Sequence, residues 1–142
     1  MTKGNAMSEE VTEDFDGESR INLGTAAFMN AALSAICALS GPQQLRLHTS
    51  APGITGAGLA SAVAAKAIAW GTPTGGGAAI STVTATPVQF DNVPAGTYTH
   101  YGVYATNGTT FLYGKPFAAS VVIPAGATGT VTVTPTHTYD LQ

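Results

Sequence analysis

The sequence predicts a mainly β domain, an antiparallel β-sandwich or small barrel of about eight short strands, with one N-terminal helix and an extended acidic N-terminal arm. Three observations lead there. Apolar and polar residues alternate in short runs such as Leu45-Arg46-Leu47-His48-Thr49 and Thr130-Val131-Thr132-Val133-Thr134. Turn formers punctuate those runs at Pro52-Gly53, Gly75-Gly76-Gly77, Asn107-Gly108 and Pro124-Ala125-Gly126. One clear apolar segment, residues 25–39, has helical spacing instead.

Residues 1–22 form the arm and residues 23–142 the helix plus β-sandwich domain. The arm is acidic and poor in apolar side chains; Val11 and Phe15 are the only sizeable ones in its first 20 residues apart from methionine. A segment of this composition cannot offset its ordering entropy by its own burial, so Val11 and Phe15 are candidate anchors on a partner. In the helix, Thr25 is a fitting N-cap. Phe28, Ala32, Ala35 and Leu39 share one stripe, with Met29, Leu33 and Ile36 beside it, and Gly41-Pro42 ends the segment.

Beyond Pro42 the pattern is β. Strands are expected at residues 45–49, 67–70, 80–84, 88–90, 98–105, 109–113, 120–123 and 130–134, with residues 59–66 ambiguous and the triglycine a flexible turn. Residues 98–105 and 109–113 make the best hairpin, because Asn107-Gly108 suits a tight type I′ turn. Alternation places Tyr98 and Tyr104 on one face and Tyr101 on the other. Tyr98, Tyr101, Tyr104, Phe111 and Tyr113 are candidate interface residues, since tyrosine is favoured at protein contacts.

Charge narrows the function classes. Of the eight acidic residues, Glu9, Glu10, Glu13, Asp14, Asp16 and Glu18 lie in the arm. From Ile21 onward, two negatives (Asp91, Asp140) and three positives (Arg46, Lys66, Lys115) leave a net charge of +1. Ordinary globular chains are about 25% charged, so a surface this neutral is expected to be covered by partners. Scattered Lys and Arg cannot neutralise a run of phosphates, which argues against nucleic acid. The segment at 25–39 is shorter than the roughly 20 residues a bilayer needs, so no membrane is expected. The single cysteine, Cys37, forms no intrachain disulfide and reads as a buried thiol.

No catalytic constellation is assembled. His48, His100 and His137 lack metal-ligand spacing, the glycine run lacks the Lys-Ser/Thr ending of a phosphate loop, and no Gly-x-Ser-x-Gly elbow occurs. With Asp91 and Asp140 the only carboxylates beyond the arm, paired-acid glycoside chemistry is not expected. The expectation is a non-enzyme with no cofactor and no metal.

One resemblance carries further. Leu45-Arg46-Leu47-His48-Thr49 with Pro52-Gly53 and Gly56, Ala69-Trp70-Gly71, the glycines from Gly75, Phe90, the stretch from Val93 to Gly102, and Phe111-Leu112-Tyr113-Gly114 resemble a family of small virion structural proteins of tailed bacteriophages. It covers about two-thirds of the chain, through turns and packing residues. Relatives tend to carry an acidic residue where Ala105 stands, and the acidic arm and the His137-Thr138-Tyr139-Asp140 tail are particular to this chain. The resemblance implies a capsid decoration protein in the virion, assembled in the host cytoplasm, with the major capsid protein and copies of itself as partners. The alternative it implies is a tail-tip or tail-fibre module that binds a receptor or glycan.

Overall fold

The computed structural model describes residues 26–38, 41–77 and 80–140. Within them the chain is mainly β, with one helix and two antiparallel sheets. The arm with Val11 and Phe15, the proposed cap Thr25, and Leu39 lie outside the described residues. The elements are α1 (Ala26–Cys37), β1 (Gln44–His48), β2 (Lys66–Ala67), β3 (Thr74–Gly77), β4 (Ile80–Thr84), β5 (Val88–Tyr104), β6 (Phe111–Val133) and β7 (Thr136–Asp140). One sheet runs β2-β1-β5-β6 and the other β3-β4-β7.

The strands are fewer and longer than the turn signals suggested. The expected strands at 88–90 and 98–105 are the two ends of the single 17-residue β5, and those at 109–113, 120–123 and 130–134 all fall in or against the 23-residue β6. The turn residues between them become irregularities within one ladder. Asp91 and Asn92 stand opposite Thr130 alone, with Asn92 at φ 53°. On β6, residues 124–127 stand opposite Ala95 and residues 117–120 opposite Thr99. Such bulges bend a strand without ending its pairing, and on the edge strand β6 they also break up a surface on which another strand would add.

Strands β5 and β6 continue into β4 and β7 as one bent ribbon. The Val88–Val133 pair is followed by Ala85 N donating to Pro135 O at 2.9 Å, then by the Thr84–Thr136 pair. The sequence reading placed no strand at 136–140; β7 exists because β4 offers it a five-residue partner. Residues 59–65 are turns and irregular backbone, with Leu59 bridging to His48, Lys66 begins β2, and the strand expected at 67–70 reduces to β2 plus a single bridge from Trp70 to Ala85.

The triglycine is a strand, not a flexible turn. Gly75 lies so close under α1 that a Cβ there would sit 2.8 Å from the Ala26 Cβ. Absence of a side chain lets the helix rest on the sheet edge, and that packing overrides the weak β-propensity of glycine.

The main core lies on one face of the four-stranded sheet, where Leu45, Leu47, Phe90, Val93, Val103 and Val131 are all buried. A second, smaller cluster of Leu33, Cys37 and Val83 joins α1 to the three-stranded sheet, and Trp70 packs against both. The buried row of α1 is Met29, Leu33 and Cys37, the row beside the expected Phe28 stripe; Phe28 is 44% exposed. A helix with apolar side chains nearly all round does not choose its face by sequence. Here Val83 and the hydrogen bond from Ser81 Oγ to Asn30 Oδ1 (2.6 Å) choose it.

Candidate functional site

Alternation along β1 sends Leu45 and Leu47 into the core and turns Arg46 and His48 to the opposite face. There they meet Gly102 and Tyr104 of β5 and Phe111 of β6. The loop at 49–60 folds over this face: Thr49 N donates to Gly58 O (2.8 Å), Ala60 N to Leu47 O (2.9 Å), and both Gly56 N and Ala57 N to Pro52 O (2.9 Å). His48, on the nominally polar side of its strand, is therefore fully buried.

The hydrogen bonds of His48 fix its tautomer. Its Nδ1 lies 2.7 Å from Ala57 O, and a carbonyl only accepts, so Nδ1 carries the proton. Nε2 is then the acceptor for Tyr104 Oη–H at 3.0 Å. The two rings stack at 6.0 Å, and Phe111 meets Tyr104 edge-on at 5.4 Å. Arg46 places its guanidinium 5.7 Å from the Tyr104 ring centroid and donates from Nη1 to Gly108 O at 2.9 Å. Its Nε is buried without a hydrogen-bond partner among the described residues. Burial lowers the His48 pKa, with the nearby His100 and Arg46 acting the same way and the Ala57 carbonyl opposing. Burial raises that of Tyr104, with Arg46 opposing. The imidazole is held neutral and the phenol protonated.

The structure brings only part of the expected tyrosine surface together. Tyr98, Tyr101 and Tyr104 are 3%, 5% and 3% exposed, so their rings are internal rather than a contact face. The expected facing is corrected as well. A bulge between Tyr98 and His100 shifts the alternation, so Tyr98 and Tyr101 both enter the main core while Tyr104 joins His48 on the other face. Each hydroxyl is used internally: Tyr98 donates to Pro94 O (2.8 Å), and Tyr101 accepts from Thr136 N (3.2 Å). Phe111 and Tyr113 are half-buried. Tyr113 donates to Thr136 O (3.4 Å) and packs against His137 at a tilt of 34°, ring centroids 4.6 Å apart, while Lys115 donates to Thr136 Oγ1 (3.0 Å). Burial lowers the pKa of Lys115, and burial and then Lys115 lower that of His137. Burial, then Tyr101 and Cys37, raise that of Tyr113.

The hairpin tip is also not the expected type I′ turn. Only Gly108 takes a positive φ (71°), and Gly108 N closes on Ala105 O at 2.8 Å. Asn107 instead serves the turn through its side chain, with Oδ1 accepting from Thr109 N and Thr110 N, both at 2.9 Å.

A groove on the surface has no counterpart in the sequence reading. An open groove of about 360 Å³ lies between the C-terminal end of α1 and the segment around Trp70, lined by Cys37, Ala38, Pro42, Ile68, Trp70 and Pro73 among others. Its walls are held by Gln43, which accepts from Trp70 Nε1 (2.9 Å) and donates to Ile36 O (3.2 Å). No sequence motif marks it, because its residues come from the end of α1 and from the segment around Trp70, which are separate in sequence. Burial raises the Cys37 thiol to about 11. Among the described residues no three His, Cys, Asp or Glu side chains are grouped to hold a metal ion, and no helix is long and apolar enough to cross a membrane.

Compared with protein-family models, with curated proteins and with solved structures, the chain matches none.

Proposed function

We propose that this chain is a non-enzymatic bacteriophage virion structural protein, a capsid decoration protein that binds the outer shell and stabilises subunit junctions. The observation that carries the reading is the direction in which the polar side chains point. His48, Tyr98, Tyr101, Tyr104, Tyr113 and Lys115 all spend their polar atoms on bracing the fold. What remains outside is a nearly neutral surface rich in Thr, Ala and Gly with isolated apolar side chains, Ile54 (96% exposed) and Val122 (65%) among them. A rigid, charge-poor body of this kind suits a protein whose work is contact area. The resemblance of residues 45–134 to small phage virion proteins supplies the setting.

In this reading the β-domain sits on the major capsid protein and beside copies of itself, and the arm reaches over its neighbours with Val11 and Phe15 as anchors. Each fully buried anchor contributes about 2 kcal/mol, repeated over every copy. Adding the purified protein to particles that lack it is expected to restore their resistance to heat, and deletion of residues 1–20 to lower its occupancy. Particles equally heat-resistant with and without the protein contradict cementing. A tail-tip adhesin is the second reading, favoured by the outward projection of Ile54 on the loop packed beside Tyr104 and Phe111.

A further inference from the structure

We propose that the groove between the end of α1 and Trp70 is the seat of this chain's own acidic N-terminal segment, with Val11 and Phe15 entering it. The proposal concerns the free protein, where those two anchors sit on the chain's own body rather than on a neighbour, and it is independent of the virion setting. Volume fits: a cavity of about 150 Å³ holds a benzene ring, so about 360 Å³ takes a phenylalanine ring and a valine together. Chemistry fits: the lining is mostly apolar, with Ser34 its one hydroxyl side chain, and Val11 and Phe15 are the only sizeable apolar side chains of residues 1–20 besides methionine.

The geometry permits it. The segment leaves from the N-terminal end of α1, and the groove lies at the opposite end, about 18 Å along a helix of 12 residues. The 11 steps from Phe15 to Ala26 span up to about 36 Å when extended. Charge complements as well. Residues 1–20 carry six acidic and two basic side chains, net −4, against +1 for the rest. Lys66 is exposed on β2, two residues before the groove-lining Ile68. Tethering favours the chain's own segment over any free competitor, because a short linker confers millimolar effective concentration.

Trp70 is the only tryptophan and lines the groove, so it reports directly on what fills it. The experiment compares acrylamide quenching of Trp70 in the full chain with that in a full-length Val11→Ala/Phe15→Ala variant, with circular dichroism confirming that both are folded. Quenching is expected to rise in the variant, as the groove side of the indole is uncovered while its contacts with the two core clusters remain, and emission to shift to the red. A synthetic peptide of residues 1–24 added to the variant is expected to restore protection saturably. Equal quenching in the two chains overturns the proposal, as does protection that appears only at high protein concentration, which would assign the groove to a second copy. A protected Trp70 in a protein that does not bind phage particles supports the groove contact while removing the decoration reading.

Discussion

Tyr104→Phe tests the account of the buried polar face most sharply, because it deletes one oxygen and nothing else. The phenyl ring keeps its stacking on His48, its edge contact with Phe111 and its place under Arg46. What is lost is the 3.0 Å hydrogen bond to His48 Nε2, and His48 has no exposed surface through which water could replace it. A buried acceptor left without its donor costs about 1–3 kcal/mol. For a chain of this length, between the surveyed size classes, each kcal/mol corresponds to about 3–5 °C in Tm. Urea denaturation of wild type and variant is expected to show a lower midpoint with an unchanged slope. Nitrogen-15 NMR of the imidazole is expected to show the proton on Nδ1 in the wild type. Stability unchanged to within about 0.3 kcal/mol, or a proton found on Nε2, would refute the reasoning.

Three further outcomes follow from the same structure. Gly102→Ala places a Cβ 2.6 Å from His48 Nε2 and 3.0 Å from Tyr104 Cε2, and overpacking with loss of their hydrogen bond is expected to cost about 2–4 kcal/mol by denaturant titration. Stability is expected to fall on acidification: the folded pKa values of His48 and His137 are both lowered, so below their ordinary value of 6.5 the unfolded chain takes up protons first. Stability is thus full above about pH 6.5 and declines toward the folded values, by at most about 1.4 kcal/mol per histidine per pH unit; urea midpoints that do not change between pH 7.5 and 5.5 would contradict this. Cys37, 8% exposed and raised to about 11, is expected to react with a thiol reagent at pH 7.5 at least about a hundredfold more slowly in the native protein than in urea.

Local signals were legible where one physical effect dominated. The alternation of Leu45 and Leu47 placed β1 and its buried face, and Pro124-Ala125-Gly126 marked a real departure from regular pairing. The rest depended on partners distant in sequence. Whether a turn signal ends a strand or bulges within it is decided by the opposite strand, which is why the eight expected strands correspond to five of those described, β3 and β7 being additional. The irregular pairing between Tyr98 and His100, where Thr99 alone faces residues 117–120, breaks simple alternation, so Tyr98 and Tyr101 fell on the same side. The triglycine is a strand because a helix needs room above Gly75, a requirement that glycine's own propensity opposes. The His48–Tyr104 pair spans 56 positions and becomes internal only when the 49–60 loop closes over it.

The proposed decoration role places this protein on the heads of phage particles. Gold-labelled antibody against the protein, applied to intact phage particles, tests it most directly. Label spread over the heads is the expected result. Label confined to the tail tip, or absent from particles altogether, would contradict it.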